Sequence, residues 1–359
     1  MKNIIDYVKT FGHLSFIEKA FNNVDICVFA SLVYIQFEDV APKFTEPEKP
    51  PLYLRDCKEY SFKSNCIDGK RHLRLLKLLC DSKRYKDVSI QYVFEVFDKV
   101  YIEQFCAMTF NIPDIGYLVA FRGTDNTLEG WVEDIGTGLE SATAGQLDST
   151  EYLLRINKFL NGKHFMICGH SKGGNLAVFS SIYSRKDVYQ NIDKVYSLDG
   201  NGLGNDRYLK LPSYKYLKDK IYSIVPKDSV VGQLLYVVKE PVIVKALGFF
   251  VFQHSTYMWK VNLKTGDFEY TDKLSFSSRV RHRAIQNWYL NRDDDQKLII
   301  LYLIFYKDIG SKNSVLKTIR KNKKTLIKEE RKQLKGLFSS YLRAKNEAFF
   351  YYLRKKGNY

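Results

Sequence analysis

Residues 165 to 177 read FMICGHSKGGNLA, a short apolar run that ends at Gly169, turns through Ser171 and continues into two glycines and small helix-forming residues. A strand that reverses into a helix within one residue favours glycine on both sides of the turn, because a Cβ there would strike neighbouring backbone. This G-x-S-x-G pattern is that of a nucleophile elbow. The turn lifts a serine oxygen clear of the sheet and aims the first N–H groups of the next helix at any oxyanion formed there. FMIC before it has the character of a buried strand, and LAVFSSIY after it has helical spacing. The rival reading of the segment is a glycine-rich connection in an ordinary α/β unit.

The rest of the chain is organised to suit such a turn. Residues 1 to 39 read as mainly helical, and a loop with four prolines between positions 42 and 51 ends them. KRHLRLLKLLCDSKRYK, 70 to 86, predicts an amphipathic helix with a solvated basic face. VYIEQFCAMTF and GYLVAFRGT, joined by NIPDI, predict a strand pair. A helix from Gln146 to Asn161 leads to the elbow strand, and strands are expected at 194 to 199, 220 to 226 and 241 to 252. Strands alternating with helices predict an α/β fold with a mostly parallel central sheet and flanking helices. Beyond about residue 275 the pattern is helical. The chain, 359 residues and 45% hydrophobic, therefore divides into a body over 1–275, with its N-terminal helical segment, and a helical extension over 276–359.

Charge and cysteines narrow the setting. Residues 311 to 359 hold 15 Lys and Arg against 3 Glu, whereas the remainder is nearly balanced at 41 against 37. The basic character thus belongs to the tail. There it accompanies Leu334, Phe338, Tyr341 and Ala348 at helical spacing, a pattern suited to anionic lipid headgroups or to a solvated helix packed on the body. Nucleic acid is disfavoured as a partner because no reading motif accompanies the charge. The six cysteines form no C-x-x-C pair and several lie in apolar runs, which predicts buried free thiols and a reducing compartment. The first sixteen residues lack an apolar signal core, and the run Leu298 to Tyr306 is too short to span a bilayer. The expected location is the cytoplasm, with peripheral contact at the inner membrane surface through the tail as an option.

An elbow serine needs a base and an acid, which in an α/β-hydrolase follow it in the order Asp or Glu, then His. Only His254 and His282 lie beyond Ser171. His254 follows the last apolar strand in FVFQHSTYMW, whereas His282 sits among three arginines, where an imidazolium is disfavoured. For the acid, Asp228 in IVPKDSVVG is preferred over Asp199 in YSLDGNGLG; both end strands, and the role alone does not separate them. AFRGTDNT places Thr124 after an earlier strand, where it supplies an oxyanion donor beside the Lys172 N–H, the Lys172 side chain being incidental. Arg122 reads as a structural ion pair. Cys168, on the strand side of the elbow, reads as a small core residue.

FRGT (121–124), GHSKGGNLA (169–177), VPKDSVVG and QHSTYMW together resemble the class 3 lipases. More closely, IIDYV, FNNVDICVFASLVYIQFEDV, QFCAMTF and GWVEDI resemble an uncharacterised family of bacterial lipase-like α/β-hydrolases, a domain of unknown function, over the first three quarters of the chain. The resemblance implies the α/β-hydrolase fold, a triad matching Ser171, Asp228 and His254, and an oxyanion role for Thr124. It departs where class 3 lipases carry a lid helix, since EGWVEDIGTGLESATAG, 129 to 145, is short and polar. The expected activity is hydrolysis of carboxylic esters, lipid or acyl esters foremost, through an acyl-enzyme and with no metal or cofactor. The alternative is a catalytically silent module that uses its basic tail to bind membrane or a protein partner.

Overall fold

The structure, a computed structural model, describes residues 2–98, 103–124, 136–138 and 142–289, with positions 292, 336, 339–340, 343–348 and 351. Most of the 129–145 segment and of the basic tail therefore lies outside the described residues. Helices α1 (Ile4–Phe11) and α2 (Asn23–Leu32) each begin with an asparagine, Asn3 or Asn22, that closes a capping box with an aspartate three residues on. The helix α3 spans Gly69–Asp81. Strands β1 (Leu52–Tyr53), β2 (Ser89–Asp98), β3 (Glu103–Ile112) and β4 (Gly116–Phe121) pair antiparallel in that order. The β3–β4 pair is the one read from sequence, whereas β2 was missed because its apolar positions follow no clean alternation.

From β4 the sheet turns parallel, through β5 (Phe165–His170), β6 (Ile192–Leu198), β7 (Ile221–Pro226) and β8 (Val242–Val244). Helix α4 (Ala144–Phe159) leads into β5, α5 (Lys172–Tyr183) leaves it, and the short helices α6 (Lys186–Tyr189) and α7 (Pro212–Leu217) precede β6 and β7. A small hairpin, β9 (Val261–Asn262) and β10 (Asp267–Phe268), precedes β11 (Tyr270–Thr271), which closes the nine-stranded sheet antiparallel to β8.

Alternation along the central strands feeds two cores, because successive side chains leave a strand on opposite faces. Cys106, Met108, Phe110, Leu118 and Ala120 pack beneath α1, α2 and α3, while Phe105, Ala107, Val119 and Phe121 pack against α4 and α5. Cys168 is fully buried in the first of these cores. A mixed sheet with a parallel centre, covered by helices on both faces, is the α/β-hydrolase fold. The parallel run puts the carboxyl ends of β4 to β8 along one edge, which is where such sheets place their chemistry.

The strand expected over 241–252 is a correction: β8 ends at Val244, and Phe250–His254 forms a 3₁₀ turn instead. Gly248, at φ +80°, breaks the extended backbone, and Phe249 and Phe252 are left exposed, ring against ring. Helix α8 (Phe276–Tyr289) lies just past the boundary drawn at 275, and His282 Nδ1 bonds the Gln233 carbonyl at 2.7 Å. Ala344 and Ala348 of the tail are buried, the latter packing with Val280 and Ala284 of α8.

Candidate active site

The elbow forms at the end of β5. Ser171 takes φ +59° and ψ −134°, a conformation costly for a residue with a Cβ and retained where surrounding structure enforces it. The enforcement is visible in its neighbours. A Cβ on Gly169 would lie 2.1 Å from the Gly173 carbonyl oxygen, and one on Gly173 would lie 2.2 Å from that of Phe121. The Ser171 N–H donates to Leu198 O on β6 at 3.0 Å, which ties the turn to the next strand.

His254 approaches this turn from beyond β8. Its Nδ1 lies 2.7 Å from Oδ2 of Asp199, which directly follows β6. Asp199 is completely buried, and its other oxygen, Oδ1, accepts from Ser229 Oγ at 2.6 Å and from the Gly232 N–H at 3.0 Å. Both carboxylate oxygens are thus engaged by hydrogen-bond partners. The acceptor role of Asp199 makes Nδ1 of His254 the protonated nitrogen and leaves its Nε2 as the basic one.

Asp228, the acid preferred from sequence, is placed otherwise. Its Oδ1 accepts from Ser275, from Ser277 Oγ at 2.7 Å and from Arg281 Nη2 at 2.8 Å, and its N–H donates to Gln253 Oε1 at 2.8 Å. The carboxylate anchors the start of α8, and its backbone braces the residue before His254. The correction has a physical reason: the β7 loop seats Asp228 against Ser277 and Arg281, while Ser229 and Gly232 of the same loop hold the Asp199 carboxylate beside His254.

Two residues of the site escaped the sequence reading. His170, the variable position of the G-x-S-x-G motif, has its ring 4.5 Å from that of His254, and its Nε2 lies 2.8 Å from the His254 carbonyl oxygen. A carbonyl only accepts, so Nε2 of His170 carries the proton and Nδ1 accepts from the Tyr34 hydroxyl at 3.1 Å. Burial, then the neighbouring His254, holds His170 well below the ordinary imidazole range, so it stays neutral. Tyr34 stacks on His72, and its hydroxyl sits where a Cβ on Gly123 would be, 2.1 Å away.

On the other side of Ser171, a Cβ on Gly123 would also meet Ser171 Cβ at 3.1 Å, which brings the FRGT strand end against Ser171. Oγ1 of Thr124 is buried and has no hydrogen-bond partner among the described residues. Lys172 opens α5, so its backbone lies at the amide end of that helix. Its side chain is not incidental: it is fully buried and donates to the Gln104 carbonyl and, at 3.2 Å, to Gln104 Oε1. Arg122 makes the structural ion pair expected of it, with Glu95. Among the described residues no group of three or more His, Cys, Asp or Glu side chains is arranged to hold a metal ion, and no helix is long and apolar enough to cross a membrane.

Fold and strand-end geometry define a protein of the α/β-hydrolase class. Residues 79–306 match the family model described as Mbeg1-like, and the chain belongs to that family. No curated protein matches it. Among solved structures it is similar to a fungal lipase, at 15% identity and a TM-score of 0.42 over 70% of this chain and 85% of that one. A mutant form of MDLA from Penicillium cyclopium is similar at 14% identity and a TM-score of 0.41, over 70% and 87%. The Lip2 lipase of Yarrowia lipolytica is similar at 14% and 0.31, over 55% and 79%.

Proposed function

We propose that the protein is a serine hydrolase of carboxylic esters, with lipid or acyl esters as its substrate class. The observation that carries this reading is the 2.7 Å bond from buried Asp199 to Nδ1 of the histidine that packs on the elbow. In the proposed reaction Ser171 Oγ attacks the ester carbonyl carbon while Nε2 of His254 takes its proton, and Asp199 stabilises the imidazolium that results. The tetrahedral oxyanion is held by Thr124 and by the Lys172 N–H; the unpartnered Thr124 hydroxyl is a donor awaiting an acceptor. Collapse expels the alcohol, which takes the proton from His254. Water, deprotonated by the same imidazole, then releases the acid from Ser171.

The test is labelling by a fluorophosphonate together with hydrolysis of 4-nitrophenyl octanoate. Wild type should label and turn over, and Ser171→Ala should do neither. Equal labelling of both proteins, or none in a folded wild type, rejects the hydrolase in favour of a silent module.

A further inference from the structure

A cavity of ≈ 240 Å³ opens beside the elbow, lined by Tyr34, Gln36, Asn65, Cys66, Glu95 and Arg122, with half-exposed Phe97 at its mouth. Tyr34 joins it to the site, since the same phenol that lines the cavity bonds His170 and lies under Gly123. Arg122 joins it a second time, one residue before Gly123 and two before Thr124.

The lining is unlike an acyl pocket. The carboxamides of Gln36 and Asn65 make no hydrogen bond to another described residue, and Glu95 Oε2 is buried without a partner. Asn65 is exposed and Gln36 half-buried, so solvent satisfies their carboxamides until a ligand does, whereas a buried carboxylate oxygen left in that condition is costly until a ligand or water completes it. The charges nearly cancel. Glu95 pairs with Arg122, and burial, then the Glu95 charge, raises the neighbouring Glu38 carboxyl to about 7, so that near neutrality it carries only about half of its negative charge. An anion would meet Glu95, and a cation would meet Arg122. Phe97 presents a flat apolar face at the rim. Several unfilled donors and acceptors, charge balance and one aromatic face suit a neutral ring that carries hydroxyls on its edges and C–H groups on its faces.

We infer that this cavity seats a sugar-like, polyhydroxylated alcohol portion of the ester, the part that leaves when Ser171 is acylated. The inference rests on the hydrolase reading above. Cys66 offers a direct readout, because it lines the cavity while the other five cysteines are buried.

Octyl glucoside is expected to slow maleimide alkylation of Cys66 in the full-length protein several-fold, and 1-octanol at the same concentration is not. In parallel, kcat/KM is compared for 6-O-octanoylglucose and methyl octanoate. The ratio should favour the sugar ester in wild type and fall about tenfold in a Gln36→Leu, Asn65→Leu double variant, from the two hydrogen bonds removed. Equal protection by octanol, no protection by the glucoside, or an unchanged ratio overturns the assignment. Fluorophosphonate labelling of Ser171 in the same samples separates the two ideas. Labelling with no glucoside protection sinks the subsite alone; no labelling sinks the hydrolase, and Cys66 protection still decides whether the cavity takes the sugar.

Discussion

Two completely buried aspartates, Asp25 on α2 and Asp199 after β6, solve the same electrostatic problem with opposite consequences. Asp25 is gripped by Arg84, through Nε at 2.8 Å and Nη2 at 2.6 Å, and accepts further from the Tyr7 and Tyr85 hydroxyls and the Asn22 N–H. Arg84 is itself buried, stacks on Phe16 and donates to the carbonyls of Ser15 and Lys19. Burial, then the Asp25 charge, pushes the Tyr85 phenol well above its usual range, so every donor in that cluster stays protonated. The cluster is closed: a buried guanidinium faces a buried carboxylate, and together they clamp the N-terminal helices. Asp199 instead faces an imidazole whose side chain remains 24% exposed. A buried carboxylate thus yields structure or chemistry according to whether its partner can release a proton to something outside the pair.

Exchanging the two roles by mutation sharpens the contrast. Asp199→Asn should retain the fold and lose roughly 10⁴-fold in kcat, as expected when the residue that sets the base's tautomer is neutralised; normal turnover in a folded Asp199→Asn protein would end the triad assignment. Asp25→Ala should do the reverse, costing about 3–5 kcal/mol of stability by leaving Arg84 buried and uncompensated. Urea denaturation reads that loss, and a shift below about 1 kcal/mol would show the cluster to be slack. Asp228→Asn belongs with Asp25: it should lower stability by about 1.5–3 kcal/mol through its bonds to Ser277 and Arg281, with kcat far less affected than in Asp199→Asn.

Smaller effects test the surroundings of His254. Tyr34→Phe removes the donor to His170 Nδ1, worth about 0.5–1.5 kcal/mol, so kcat should fall a few-fold with little change in fluorophosphonate binding. The smallest effect concerns Glu38. Its carboxyl is raised from 4.5 to about 7, so the folded chain binds that proton more tightly than the unfolded chain does. The resulting stabilisation is present at low pH and is lost as pH rises from about 4.5 through about 7. Glu38→Gln should therefore flatten part of the decline in Tm across that window, and an unaltered Tm profile would remove Glu38 from the account.

The elbow could be read directly because its pattern is local, strand, serine and glycines in one segment: the contact that forbids a Cβ at Gly169 is with Gly173 and Gly174, although the one at Gly173 is with Phe121 on β4. His254 could be reached by chain order and by the poor surroundings of His282. The acid could not. Asp199 and Asp228 each end a strand, on adjacent parallel strands, and nothing within either segment states which loop curls toward β8. A retrospective signal lies in the glycine after Asp199: a Cβ on Gly200 would sit 2.5 Å from Ser197 Oγ and 2.8 Å from Gly174, so the DGNG loop must press on the elbow helix. His170 and Tyr34 left no signal, since one is the variable letter of a motif and the other lies more than a hundred residues away from it.

The sequence by itself determined the strained turn at Ser171, the alternation that sends β3 and β4 side chains to two cores, and the capping boxes that start α1 and α2. These follow from steric and hydrogen-bond rules acting over a few residues. Only the tertiary structure decided which aspartate meets His254, that the Lys172 ammonium donates to Gln104, and that the chain after β8 coils to bring His254 back onto His170. Those outcomes depend on the paths of separate loops above a shared sheet edge, where the energy of a contact belongs to the meeting of distant segments and to neither segment alone.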